Sequence, residues 1–162
     1  MTYNLELDRA VDAAFLDDSP TQLSIVEMIE TVIFSLEEEG SAMVSHDGHS
    51  SNQSAYLWKF KYGSVEVFVQ LTGTTDEDTF SVWAKVLQLP AKNEPQLMRK
   101  LLEMNWAETF EACFCILGDA IAVATSRTVA ELSPGEVSRN ITIVATIADD
   151  HDDLLQAEFG QS

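Results

Sequence analysis

One stretch constrains this chain more than any other. In Tyr56-Leu57-Trp58-Lys59-Phe60-Lys61-Tyr62 the aromatic residues fall at every second position. A β-strand sends alternate side chains to opposite faces. The spacing therefore gathers Tyr56, Trp58, Phe60 and Tyr62 on one face and Leu57, Lys59 and Lys61 on the other. Gly63-Ser64 then supplies a tight turn, after which Val65, Val67, Val69 and Leu71 alternate with Glu66, Phe68 and Gln70. The pair reads as an antiparallel hairpin with one strongly apolar face. Such a face must be covered, and the remaining elements of the chain are there to cover it.

Residues 42–45 read as a short strand ahead of the hairpin. Residues 79–89, with Phe80, Val82, Ala84 and Val86 on one face, read as a strand after it, ended by Pro90. A second hairpin is expected over 110–117 and 120–126, turning at Gly118-Asp119. Three helices accompany these strands. The first spans 22–38 with Thr21 as its cap, and it stops at Gly40 after Glu37–Glu39. Its Leu23, Val26, Ile29, Ile33 and Leu36 recur at threes and fours, while Ile25, Met28, Val32 and Phe34 widen the stripe beyond one face. The second begins near Glu94, with Pro95 in its first turn and Leu97, Met98, Leu101, Leu102 and Met104 facing inward. The third opens on Ser133-Pro134-Gly135-Glu136, a capping box with proline inside the start. Val137, Ile141, Val144 and Ala148 mark its face, again widened by Ile143 and Ile147. This order defines an α+β fold, helices packed on an antiparallel sheet. It is expected as a single domain over 19–153, between an acidic segment at 1–18 and a short C-terminal tail at 154–162. The acidic stretch from Asp149 onward is expected to fray.

Charge narrows the partners. With 27 Asp and Glu against 9 Lys and Arg, the formal net charge is −18. Phosphates repel such a polyanion and no basic stripe offsets it, so no nucleic acid and no anionic membrane surface is expected as a partner. No apolar run approaches the ~20 residues of a membrane helix. The opening MTYNLELDRA lacks a signal-peptide pattern, so the cytoplasm is the expected compartment. A hydrophobic fraction of 46% excludes a wholly disordered chain. Cys113 and Cys115 share one strand face and form half a metal site at best. A disulfide between them would close a strained loop, so both are expected as buried free thiols.

The stretch from Val82 to Leu155 carries a resemblance. The helix LMRKLLEMNW, a strand with Phe110 and Phe114, the turn GDAIAV and the helix opener ELSPGEV follow one another in the order of the YbjN family, of the kind found in cyanobacteria. The similarity covers roughly residues 22–153, departing in the opener SPGEV and in the extra acidic N-terminal segment. It implies a fold like that of type III secretion chaperones and a role among sensory-transduction regulators. It brings no catalytic motif. Chaperones of this fold act as homodimers that bind extended segments of partner proteins, which the resemblance extends to this chain as architecture rather than as residue roles.

Candidate chemistry is sparse. His46, Asp47 and His49 could offer three metal ligands, but Gly48 and the serines after it place them on a loop whose geometry no helix fixes. Asp76-Glu77-Asp78 lacks the spacing of a calcium loop, and Asp149-Asp150-His151-Asp152-Asp153 reads as a solvated block. Nucleophile-elbow and phosphate-loop patterns are absent from the sequence. No catalytic residue, cofactor site or metal site is therefore assigned, and the chain is not expected to be an enzyme. What the sequence does offer is surface. Apolar arcs wider than one face, at Ile25, Met28 and Val32 and at Ile143 and Ile147, call for a partner helix or a second subunit. Leu57, Lys59, Phe68, Trp83 and Lys85 lie on the sheet face opposite the aromatic core, gathering three lysines if Lys61 joins them. The expected function is a chaperone- or adaptor-like protein-binding module, acting as a homodimer with an unidentified protein partner. The alternative is a small-molecule sensor with a pocket between sheet and helices.

Overall fold

The computed structural model describes residues 23–38, 44–45 and 55–161. Strands β1 (Val44–Ser45), β2 (Tyr56–Tyr62), β3 (Val65–Leu71), β4 (Thr79–Gln88), β5 (Cys113–Leu117) and β6 (Ala120–Thr128) form one six-stranded sheet. Its order is β1-β2-β3-β4-β6-β5, with every neighbouring pair antiparallel. Helices α1 (Ile25–Glu38), α2 (Glu94–Ala107) and α3 (Pro134–Phe159) complete the chain. The peptide Leu89–Pro90 between β4 and α2 is cis.

The alternating pattern of β2 and β3 is realised in register. Trp58 pairs with Val69 and Phe60 with Val67, and all four are buried. Phe80, Val82 and Ala84 of β4 and Ile121 and Val123 of β6 extend the same apolar face. Across it lies α3, which packs on β3, β4 and β6 through Val137, Ile141, Val144, Ala145 and Ala148. Its start is the expected capping box: Glu136 N–H donates to Ser133 Oγ at 3.3 Å, and Ser133 N–H donates to Glu136 Oε2 at 3.0 Å. A second capping box, unanticipated, joins Ser24 and Glu27 at the start of α1, at 2.8 and 3.2 Å. Thr21, Gly40, the segment 1–18 and His46–His49 lie outside the described residues.

Four sequence expectations are corrected here. The acidic stretch after Asp149 does not fray, and 154–162 is no tail, because α3 continues through it to Phe159. Leu155 and Phe159 prolong the buried stripe of Ile141, Val144 and Ala148, so their burial outweighs the self-repulsion of the acids on the opposite side. Val32 and Ile147, expected on a surface, are each only 8% exposed. The reason is that α1 packs against α3, so the excess apolar arcs cover each other, with Ile25, Met28 and Ile143 half-buried around that contact. Leu102 points outward rather than inward. Cys113 is exposed and Cys115 half-buried, because β5 is an edge strand whose cysteines face away from the helices.

The hairpin turn is tied to α3. Ser64 N–H donates to Asp149 Oδ1 at 2.7 Å, and the Ser64 hydroxyl lies 2.8 Å from both Asp149 Oδ1 and Asp152 Oδ2. Gly63, at φ 53°, is where the backbone passes this carboxylate: a Cβ there would collide with the Asp149 carboxylate.

Two predictions follow from the path of α3. Phe159→Ala should lower the unfolding free energy by about 3–5 kcal/mol in urea denaturation, whereas an unpacked tail residue would show no change. The Ser64 amide, and then its hydroxyl, hold the Asp149 carboxyl below its ordinary pKa. The unfolded chain therefore takes up that proton at higher pH than the folded chain. The stabilisation is present above the unfolded value and is lost as pH falls through the folded one. Asp149→Asn should accordingly shift the urea midpoint downward at neutral pH, and the gap from the parent protein should close below about pH 4.

Candidate functional site

All three helices gather on one side of the sheet or at its β5 edge, and among the described residues nothing covers the other side. Strand alternation decides what that side displays. One row, read across neighbouring strands, is Lys59, Phe68, Trp83, Ala124 and Cys113. The next is Leu57, Gln70, Ser81 and Ser126, the two serine hydroxyls lying 2.8 Å apart. Phe68 and Trp83 stack nearly parallel at 7°, with ring centroids 5.6 Å apart, and Lys59 Nζ sits 5.7 Å from the Phe68 centroid. This is a geometry in which the ammonium meets the negative face of the ring. Beside the stacked pair is a shallow cavity of about 430 Å³, lined by Leu57, Gln70, Ser81, Trp83, Ala124 and Ser126 among others.

Leu57, Lys59, Phe68, Trp83 and Lys85 are thus brought together on one face, whereas Ile25, Met28, Val32, Ile143 and Ile147 belong to the α1–α3 contact on the other. The lysines are not bare. Lys59 Nζ is 2.7 Å from Glu66 Oε1, and Lys85 Nζ is 3.6 Å from Asp119 Oδ1. Hydrogen bonding from Gln88, then from the Asp119 backbone, and the charge of Lys85 keep the Asp119 carboxyl below its usual range. Lys61 pairs in register with Glu66, so Lys59 and Lys61 flank one glutamate while Lys85 turns to Asp119.

A second surface lies where α2 meets β5. Trp106 is 93% exposed, Phe110 80%, Leu102 69% and Ile116 59%. Leu97, Leu101 and Met104 form the buried stripe of α2, and Leu102 and Trp106 stand four residues apart on another side of that helix. That second spacing is legible in the sequence. The outward turn of Phe110, at φ 52°, was not, since it sits where a strand was expected. The same flank closes the sheet edge: Asn105 Oδ1 accepts from Phe114 N–H at 2.7 Å and Nδ2 donates to Phe114 C=O at 3.1 Å. One side chain thereby satisfies both groups of an edge-strand residue that would otherwise invite another strand.

Elsewhere the chemistry is structural. His151 Nδ1 is 2.8 Å from Ile147 C=O, and its ring meets Phe114 edge-on at 5.8 Å. Burial pushes the Cys115 thiol pKa up, and neighbouring Cys113 adds to this, which disfavours the thiolate. Among the described residues no group of three or more His, Cys, Asp or Glu side chains could hold a metal ion. No helix among them is long and apolar enough to cross a membrane.

Comparison with known proteins fits this architecture. The fold is that of the type III secretion chaperones: a chain of the "Crystal Structure of the ExsC-ExsE Complex" superimposes with a TM-score of 0.52 at 16% identity, covering 85% of this chain and 96% of the other. A family model described as "YbjN: Putative bacterial sensory transduction regulator" matches residues 26–157, and the chain belongs to the YbjN family. No curated protein matches its sequence.

The edge contact yields a prediction. Asn105→Ala leaves the Phe114 amide and carbonyl without their partner and should cost about 1–3 kcal/mol in urea denaturation. Asn105→Asp, which keeps an acceptor for the amide and loses the donor, should fall between the two.

Proposed function

We propose that this chain is a non-enzymatic protein-binding module, a chaperone- or adaptor-like regulator acting in the cytoplasm as a homodimer that holds a partner protein. The observation that carries the reading is the uncovered sheet face with the stacked Phe68–Trp83 pair at its centre. Aromatic anchors of this kind supply a large share of binding energy at protein interfaces. A broad, open face suits a protein segment, whereas small ligands favour enclosed sites that bury most of their surface. The space between sheet and helices, where a sensor pocket would lie, is packed with Phe80, Val82, Val144, Leu155 and Phe159. Family membership among regulators supports the reading, as does the similarity to a protein solved in complex with another protein.

The homodimer is assigned to the flank of Leu102, Trp106, Phe110 and Ile116. Two copies of a chain with charge −18 repel each other. Association is least opposed where an uncharged apolar patch meets its own copy across a two-fold axis, and these four side chains carry no charge. The Asn105–Phe114 contact makes side-chain packing, rather than strand addition at Phe114, the mode of association.

Native mass spectrometry at micromolar concentration tests both parts. The parent chain should be a dimer, and Trp106→Ser with Phe110→Ser should give a monomer whose circular dichroism and urea midpoint stay close to the parent's. Phe68→Ser with Trp83→Ser should remain dimeric yet lose a co-purifying protein partner. A parent chain that is monomeric and carries a defined small added mass would replace this reading with the ligand-sensor alternative.

A further inference from the structure

A notch opens where β5 stops. Strand β5 begins at Cys113, opposite Ala124, so among the described residues no strand flanks 125–128 of β6 on that side. The notch is a cavity of about 370 Å³, with this stretch of β6 as its floor, Glu111 on one wall and Arg139 and Asn140 of α3 on the other. Val129 N–H donates to Asp78 C=O at 2.8 Å, on the β4 side. Backbone groups alternate along an antiparallel strand. Those of Thr125 and Arg127 therefore also point to β4, and those of Ser126 and Thr128 point into the notch. Arg127 Nε donates to the Thr128 carbonyl at 3.1 Å, whereas the Ser126 amide and carbonyl have no partner among the described residues.

Asn140 adds a second open amide. It is only 9% exposed, yet its side chain makes no hydrogen bond among the described residues, and it lines the notch. A nearly buried amide left unpaired costs free energy that a matching ligand would recover. The charges around it balance. Arg127 is fully engaged, with Nη2 on the Ala130 carbonyl at 2.9 Å and Nη1 on Glu136. Arg139 Nε and Nη2 both donate to Glu111 Oε1, at 2.9 and 2.8 Å, which leaves Arg139 Nη1 and Glu111 Oε2 open. The open groups thus come as matched pairs of donor and acceptor, on Ser126, on Asn140 and on the Arg139–Glu111 pair. An anion would meet two carboxylates here, and a cation two guanidinium groups. A peptide unit is the neutral group that brings one donor and one acceptor.

Position supplies the source of that peptide unit. The row Leu57, Gln70, Ser81 and Ser126 on the uncovered face ends at the notch, and the shallow cavity of that face shares Thr125 and Ser126 with it. With strands about 4.8 Å apart, Leu57 lies roughly 14 Å from Ser126, the reach of about four extended residues. We propose that the notch binds one peptide unit of the partner protein's extended segment where that segment leaves the sheet face over β6, pairing it with Ser126 on one side and Asn140 on the other. Only one residue of β6 has both backbone groups open, so the notch anchors the segment without adding a strand. The inference rests on the reading of this face as a docking surface.

Cys113 offers a tether for the test, being exposed and opposite Ala124, about 7 Å along β6 from Ser126. Full chain carrying Cys115→Ser is equilibrated in mercaptoethanol with N-acetyl-Cys-Ala-Ala-amide, or with the analogue in which both alanines are N-methylated. Mass spectrometry then measures each mixed disulfide. The unmethylated peptide should be favoured about five- to tenfold. Asn140→Leu should abolish that preference and weaken binding of a co-purified partner severalfold. In the tethered adduct, hydrogen exchange at the Ser126 amide should slow severalfold while that at Thr125 stays unchanged. Equal yields of the two peptides, or a preference that survives Asn140→Leu with Ser126 exchange unaltered, would overturn the proposal. If Phe68→Ser with Trp83→Ser still sheds the partner in that case, the face stands without the notch. A peptide preference in the parent, beside partner binding that Phe68→Ser with Trp83→Ser leaves intact, would remove the face reading and keep the notch.

Discussion

The structure depends on one packing relationship, the contact of α3 with a single face of the sheet across β3, β4 and β6. A 26-residue helix is about 39 Å long, whereas the ten-residue β4, on which it chiefly packs, spans about 34 Å. The helix therefore overruns the sheet, and its excess organises the other elements. At its far end the Phe159 carbonyl accepts from Lys92 N–H at 2.7 Å and Glu158 meets Lys100 at 2.5 Å, so the entry to α2 and α2 itself are fixed to it. Helix α2 in turn closes the β5 edge through Asn105. In its middle, Asp149 and Asp152 hold the β2–β3 turn through Ser64. Helix α1 packs against α3, which leaves it dependent on the same contact. Each fully buried aliphatic or aromatic side chain contributes roughly 1.5–3 kcal/mol, so the apolar face of α3 outweighs any of these polar ties taken singly.

Electrostatics shapes the surface rather than the core. The ion pairs join side chains that are all substantially solvent-exposed, a setting in which such pairs contribute little to stability. Their effect is one of distribution. With so large an excess of acid, a surface that excludes carboxylates becomes a place where another chain can approach. Among the described residues two surfaces come nearest to this, the α2–β5 flank with its exposed apolar side chains and the sheet face, where Lys59, Lys61 and Lys85 stand against Glu66 and Asp119.

The strands and the helix starts were legible because they obey local rules. Period two at Tyr56–Leu71, with Gly63-Ser64 between, leaves one register, and Ser133-Pro134-Gly135-Glu136 leaves one helix start. What local pattern could not give is which apolar arc meets which. The wide stripes of α1 and α3 signalled a second contact correctly, but that contact is between the two helices, so Val32 and Ile147 are core rather than surface. The acidic block Asp149–Asp153 hid the continuation of the stripe to Leu155 and Phe159, since charge density was read ahead of spacing. Leu57, Phe68 and Trp83 were placed on the right face by parity alone. Whether anything covered that face depended on where three helices pack, which is a tertiary fact.

The two ends of the sheet argue for how another chain would bind. At one edge β1 has two residues among those described, and at the other Asn105 occupies the outward groups of Phe114. Short strands and capped edges are devices that discourage strand addition. Capping the Phe114 edge while leaving an aromatic, lysine-bordered face open among the described residues separates the two ways a sheet can bind. Edge pairing draws on backbone groups common to every sequence and discriminates poorly. Face packing draws on shape and charge at Leu57, Phe68, Trp83 and their lysines, and it can therefore select one segment over another. Selectivity of this kind lies in side chains of the face rather than in the backbone of the edge.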